Sequence, residues 1–438
     1  MGGIGMEKRE IMNALDTINR IKSIVSYLPI LGIILLISAI PFHYGWYHRI
    51  SLYILTFTYI LDYITNQRWK NWQWSNKYWV YICQIAFFLL IPVWHIFDEI
   101  QTPILQRTIE NYMPFLILGI CGIIGTTDKF RIEYVALAMI FTSIAIISYI
   151  LNIVGFPDFA SISAWVSNFN YISHQQINSH MVLNLYWNFS LILGLYLVWR
   201  SNFSKAWKVI IALLMTPIFI ALCMTDGRTG LLTLVGIILI LLVYYMYSHR
   251  KWWMIGVVLG FLVGIYAFLM QRENFIRATS ETNPRIYIWN VTIDMIKEKP
   301  LLGYGVCSAR DEFVERGVAN EEFYEHYTQY LIRYLQTADI DADLSIMHPH
   351  NALLETWIQF GIIGVLLLLT YLVLPLTMRL GKYQLFLNLC VFAFVMQSIF
   401  ESLGSSLQPL CLCLMILFWH HQFTLSHDNK SAAELQPL

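Results

Sequence analysis

Apolar runs long enough to cross about 30 Å of hydrocarbon recur along the whole chain. They predict helical spans near 24–42, 48–64, 78–97, 112–127, 134–156, 180–200, 209–224, 230–247, 253–270, 361–378, 383–403 and 409–425. Nine spans precede a long segment whose apolar residues no longer form membrane-length runs, and three follow it. The pattern divides the chain into an N-terminal stretch over 1–23, a nine-span block over 24–270, a large loop over 271–360, a three-span block over 361–425 and a tail over 426–438. The predicted fold class is all-α: a polytopic membrane protein with about 12 transmembrane helices and one large helical loop.

Charge orients this layout. An even number of spans puts both termini on one side. The segments on that side carry Lys8, Arg9, Arg20 and Lys22, then Arg68, Lys70 and Lys77, then Lys129 and Arg131. They continue with Arg200, Lys205, Lys208, Arg250, Lys251, Arg379, Lys382 and Lys430, making seventeen basic residues. The short loops on the other side hold only Arg49, Arg107 and Arg228. The positive-inside rule therefore predicts cytoplasmic termini, and the long segment, with its eight basic residues, lies outside. No small-residue cleavage site follows the first apolar run, which predicts a retained helix.

Composition agrees. Of 438 residues, 57% are hydrophobic, 15% aromatic and only 13% charged, with a mean hydropathy of +0.56. A soluble chain this apolar could not cover its own surface with polar groups, and disorder, a nucleic-acid-binding arm, a collagen-like repeat and a disulfide scaffold are excluded as well. The 28 basic and 28 acidic residues cancel, so net charge identifies no partner. Six of the seven cysteines fall within spans and read as small apolar packing residues; Cys307 alone lies in the outer loop.

Ion-coupled transporters place carboxylates or broken helices near the membrane midplane. Here Asp62, Glu401 and the other acids sit near span ends, so chemistry at the outer face is the better expectation. Thr282-Asn283-Pro284 starts a helix, because Asn caps and Pro is tolerated at the first helical position. Ile286, Trp289, Ile293 and Ile296 give it one apolar stripe, and Lys297, Lys299 and Pro300 end it. A second loop helix is predicted from Asn320 to about Gln336, with Phe323, Tyr327, Leu331 and Tyr334 on one face. A third begins at His350-Asn351 and runs through Ala352–Phe360, with Asn351 as its cap.

His350 then sits beside a helix N-terminus, where the partial positive charge disfavours imidazolium. It is either a structural cap or a neutral general base. Arg228 lies in the short outer turn Thr225-Asp226-Gly227-Arg228-Thr229-Gly230, placed for a lipid phosphate, for a salt bridge to Asp226 or for a headgroup. Arg285 occupies the first turn of the loop helix, where a cation opposes the helix dipole and an anion would relieve it. Glu401, at the outer end of span 11, either assists the site or meets headgroups. Other patterns carry less. Asp339, Asp341 and Asp343 alternate as in a calcium loop but lack its glycine and terminal glutamate. Gly303-Tyr304-Gly305 lacks the third glycine and the strand of a dinucleotide site. His348 and His350 have no third ligand nearby, so no metal site is expected.

Taken in order, these segments resemble a known family. His350-Asn351, nine residues, then Gly361-Ile362-Ile363-Gly364 resembles a signature of bacterial O-antigen ligases and polymerases. Arg228-Thr229-Gly230-Leu231-Leu232 is similar to their Arg-x3-Leu motif, and Asp226 stands where a small neutral residue is expected. Pro284-Arg285-Ile286-Tyr287-Ile288-Trp289 and Lys299-Pro300-Leu301-Leu302-Gly303-Tyr304-Gly305 resemble the opening of their large periplasmic loop. The resemblance is clearest over about 220–380. It implies a GT-C-like inner-membrane glycosyltransferase with a periplasmic site, which moves a glycan from undecaprenyl diphosphate to a lipid A-core sugar hydroxyl with inversion. In that reading His350 is the base, Arg228 and Arg285 hold the diphosphate, and Asn351, His348, Asp226 and Glu401 line the substrate. The expected partners are the lipid-linked glycan, the lipid A core and membrane lipids, with no metal, cofactor or nucleic acid. Polymerase activity is the alternative, then protein O-glycosylation. From a different class, a transporter would need midplane charges or an inverted repeat.

Overall fold

A computed structural model describes residues 2–42, 45–98, 104–125, 127, 129–156, 162–225, 228–270, 284–320, 349–400 and 408–434. Among them are α1 (Gly2–Val25), α2 (Leu28–Ala39), α3 (Gly45–Thr65), α4 (Trp79–Trp94), α5 (Ile104–Ile124) and α6 (Ile132–Val154). Then come α7 (Ile162–Ile172), α8 (His180–Arg200), α9 (Lys205–Met224), α10 (Arg228–His249) and α11 (Ile255–Met270). The series closes with α12 (Pro284–Glu298), α13 (Ser308–Ala319), α14 (Ala352–Val373), α15 (Gln384–Ser398) and α16 (Gln408–Glu434). No strand occurs among the described residues. Each predicted span falls on a helix, and eight helical stretches among the described residues are long and apolar enough to cross a bilayer. The chain is an all-α polytopic membrane protein.

Burial sorts the helices. In α8 fifteen residues are buried, with no polar face, as befits a helix enclosed on all sides. It packs against α6, α9, α10, α15 and α16. By contrast α9 and α11 turn Trp207, Val209, Leu213, Val257, Leu259 and Val263 outward. Exposed apolar residues in that number suit lipid, not water. The loops rich in Lys and Arg share one end of the bundle. There Trp72 donates to the Ile123 carbonyl at 2.9 Å, Lys77 lies over the Phe423 ring, and Asp62 pairs with Arg68 at 2.6 Å. The start of α8 lies at the opposite end, with the loop helices.

The loop helix predicted from Pro284 is α12, but its buried face differs from the predicted stripe. Ile286 and Ile293 are exposed, whereas Ile288, Val291, Thr292 and Met295 are buried. Both sets are apolar at helical spacing. The packing partners decide between them: Ile288, Val291 and Met295 meet Tyr304, Ala309, Phe313 and Ile358 in a small separate core. Helix α13 was not expected. Its cap comes from a distant element, since Asp98 Oδ1 accepts from the amides of Cys307 at 2.8 Å and Ser308 at 3.0 Å. The second predicted loop helix and the acids 339–343 lie outside the described residues.

The third predicted loop element and the tenth span form one helix, α14, with a break at Gly361. Gly361 has φ 62° and ψ −159°, a backbone region open in practice only to glycine. The break frees carbonyls, and a strap over 299–305 satisfies them. Tyr304 N donates to Ile358 O at 2.7 Å and Gly305 N to Gln359 O at 3.2 Å, while Ile362 N donates to Pro300 O at 3.0 Å. Trp357 and Trp94 fasten the strap through its Pro300 and Leu302 carbonyls, at 3.0 and 2.8 Å. A Cβ on Gly361 would collide with the Leu301 carbonyl. Gly361→Ala should therefore cost more than the roughly 1–3 kcal/mol of backbone strain alone. Gly256→Ala, with open space around its Cβ, should be neutral. Melting in detergent, followed by fluorescence-detected size exclusion, checks this; equal midpoints for the two variants would refute it.

Candidate functional site

The site is built around the start of α14. Asn351 has extended backbone and caps the helix: its Oδ1 accepts from the amides of Leu353 and Leu354, both at 3.0 Å. Its Nδ2 donates to the Ile399 carbonyl at 3.0 Å, tying α14 to the end of α15. On the other side the Trp289 indole donates to the Pro349 carbonyl at 3.0 Å. His350 is thus gripped from both flanks, and its backbone is left-handed, with φ 48°. Non-glycine residues held in this region cost of order 1–3 kcal/mol and concentrate at functional sites.

Arg285 stands in the first turn of α12, and its guanidinium lies over the Phe400 ring at 5.3 Å. Its charge reaches both His350 and His180. Burial, and secondarily the Arg285 charge, push the His350 imidazole down to about 4. Near neutral pH His350 is an uncharged ring beside a fixed cation. The structure therefore brings together two of the residues singled out from sequence.

Arg228 is the first residue of α10, whose start packs on α8. Thr225 Oγ1 donates to Asn184 Oδ1 at 2.8 Å, Asn188 Nδ2 to the Gly230 carbonyl at 3.2 Å, and Asn170 Nδ2 to the Met224 carbonyl at 3.1 Å. Gly230 sits so close to Asn184 that a Cβ would overlap its side chain. Asn184 is one helical turn from His180, where α8 begins. At that start the Gln397 Nε2 donates to the Met181 carbonyl at 2.9 Å. The short stretch Gln397–Phe400 thus touches α8, the Asn351 cap and Arg285.

Asp226, His348 and Glu401 lie outside the described residues. Three ligand-type groups do meet elsewhere: His95, Asp98 and Cys307 bring donor atoms within 4.8 Å of one another. Asp98 already accepts from two amides and pairs with His95 Nδ1 at 2.7 Å, so the cluster is fully explained as the cap of α13. The clasp of Trp289 on Pro349 and the two asparagines of α8 are not among the residues predicted from sequence. Trp289 was assigned to packing; an asparagine pair four apart in an otherwise apolar span was the available signal for the others.

The stretch that holds Arg228, Arg285, His350 and Asn351 also decides the comparison with known proteins. Residues 210–369 match the O-Antigen ligase family. A protein of Rickettsia conorii, provisionally named a polysaccharide ligase, is 27% identical over 97 residues, or 22% of this chain. The match spans about a fifth of that relative's length, 20%. Both findings name ligases, and the O-Antigen ligase match ends within α14, just past the helix break.

If Asn351 acts through its cap, Asn351→Ala should lose about 1 kcal/mol of stability, and Asn351→Ser should recover most of it. The midpoint of thermal unfolding reads this. A midpoint unchanged in the alanine variant would leave substrate contact as its role.

Proposed function

We propose that the protein is an O-antigen ligase-like glycosyltransferase, moving a glycan from undecaprenyl diphosphate to a sugar hydroxyl of the lipid A core. The observation that carries this reading is that the His350-Asn351 segment and Arg285, both within the matched stretch, are held against the same residues, Ile399 and Phe400. His350 Nε2 or Nδ1 takes the proton of the acceptor hydroxyl, and the oxygen attacks the anomeric carbon. The bond to the diphosphate breaks on the opposite face, so the configuration inverts and the electron pair leaves with the diphosphate. Arg228 and Arg285 hold the diphosphate and stabilise its charge. Asp226, His348, Glu401 and Asn351 are the further residues proposed for the substrate, Asn351 through the helix start it caps, and no metal or nucleotide sugar enters the scheme.

The proposed setting is the bacterial inner membrane, with both termini cytoplasmic and the site facing the periplasm. The gathering of basic loops at the bundle end opposite His350 supports this orientation. The proposed division is transmembrane helices 1–9 over 24–270, a periplasmic loop over 271–360, and transmembrane helices 10–12 over 361–425.

Deletion of the gene, followed by lipopolysaccharide gels and lipid-linked glycan analysis, tests the reaction. Loss of long chains with glycan accumulating on undecaprenyl diphosphate is expected. Single-repeat lipopolysaccharide would identify a polymerase instead. His350→Ala, expressed at normal level, should fail to restore transfer; restoration would refute the general base.

The acid limb of kcat/KM reports the proton acceptor of the free enzyme. With His350 at about 4, the ring stays unprotonated and the limb should lie near pH 4. Arg285→Gln removes the smaller of the two causes that lower it, so the limb should move to higher pH. A limb that stays in place in that variant would separate Arg285 from His350. The linked stability has the same sign. The folded value is below the ordinary 6.5, so stability is complete above about pH 6.5 and is lost as the pH falls toward 4.

A further inference from the structure

We propose that His180 is a third diphosphate-binding side chain of this site, donating an imidazole N–H to a phosphate oxygen of the lipid-linked donor. The inference rests on the donor reading above and extends it to a residue outside the O-Antigen ligase match.

Three observations place His180 there. It opens α8 at the end of the bundle that holds His350, and the next carbonyl, that of Met181, accepts from Gln397. From Gln397 the chain runs in three residues to Phe400, under Arg285, with Ile399 O holding the Asn351 cap on the way. His180 and His350 are therefore fixed to the same short stretch, and Arg285 is within electrostatic range of both rings.

The approach to His180 is irregular. A single π-helical turn over Ser173–Ile177 precedes it, closed by Asn178 N donating to Ser173 O at 3.0 Å. Such turns are rare and cluster at functional sites. The turn ends in extended backbone at Asn178. His180 is partly accessible, so its ring can meet a ligand.

The chemistry fits a diphosphate. An imidazole offers at least one N–H donor, so the ring can meet a phosphate oxygen. A donor of that kind can contact a phosphate oxygen while Arg285 supplies the charge. Asn184, one turn further along α8, secures the turn that leads into Arg228. Helix α8 thereby fixes this histidine relative to the turn that leads into Arg228. Hydrogen bonds to charged groups are strong enough that losing one weakens binding about tenfold or more.

The test uses the full-length protein in nanodiscs and radiolabelled undecaprenyl diphosphate as the probe, with equilibrium binding at pH 7. His180→Ala should raise Kd about tenfold, and His180→Gln, which keeps an N–H donor, should return it to within about threefold of wild type. Arg285→Ala should weaken binding independently. If Arg285→Ala weakens binding and His180→Ala leaves it within twofold, the role of His180 is overturned and the donor reading stands. If neither variant weakens binding, the donor reading itself fails. Equal weakening by alanine and glutamine also overturns the N–H contact. Should His180→Ala not purify as a monodisperse protein, His180→Gln against His180→Phe decides. Tighter binding by glutamine supports the proposal, and equal binding refutes it.

Discussion

The arrangement depends on one break in a helix. Within an apolar interior a backbone carbonyl without a donor costs several kcal/mol, so a helix can be interrupted only where other backbone supplies the missing partners. Gly361 interrupts α14, and the strap over 299–305 supplies the Tyr304 and Gly305 amides. This exchange fixes the strap, and the strap fixes what it joins. One end of it is the C-terminus of α12, whose opposite end carries Arg285 and, one turn on, the Trp289 that holds Pro349. Its other end leads into α13, capped by Asp98 from the end of α4. The glycine signature of the sequence is thus an account of backbone hydrogen bonding as well as of close packing.

The membrane spans were legible because their signal is local: length and hydropathy fix a helix in lipid whatever its neighbours. The cap at Asn351 was legible for the same reason, as were the starts of α10 and α12. What escaped is set by partners remote in sequence. Helix α13 begins at Ser308 with no side-chain cap from Cys307 before it, and its cap is an aspartate more than two hundred residues earlier. The buried face of α12 could not be chosen from its own residues, because Ile286 and Ile293 repeat as regularly as Ile288 and Met295. Tyr304, Phe313 and Ile358 make that choice. His180 was hidden by its position at the edge of an apolar run, where a polar residue looks like a boundary.

Helix α8 illustrates how a polar function is mounted in an apolar scaffold. It is the most enclosed helix of the bundle, yet it carries Asn184 and Asn188 fully buried. Buried amides are costly unless bonded: Asn184 Oδ1 accepts from the Thr225 hydroxyl at the α9–α10 junction, and Asn188 Nδ2 donates to the Asn184 and Gly230 carbonyls. The asparagines tie α8 to this turn, which is what an arginine at the head of α10 requires if it is to meet a ligand at a set place.

The low proton affinity of His350 raises a question for the proposed reaction, since a base near 4 is a weak acceptor at neutral pH. Part of the answer lies in Arg285, the second cause of that depression. A diphosphate bound against Arg285 brings negative charge to the same place and opposes the influence of the guanidinium on the imidazole. Burial, the larger cause, remains, so the recovery is partial, but its direction is fixed: the ring becomes a better acceptor when the donor is present. Without that negative charge the ring resists protonation. Proton removal from the acceptor is then favoured chiefly in the complex that holds a glycan to be attacked. In the proposed reaction one arginine would thereby both bind the leaving group and tie the strength of the base to its arrival.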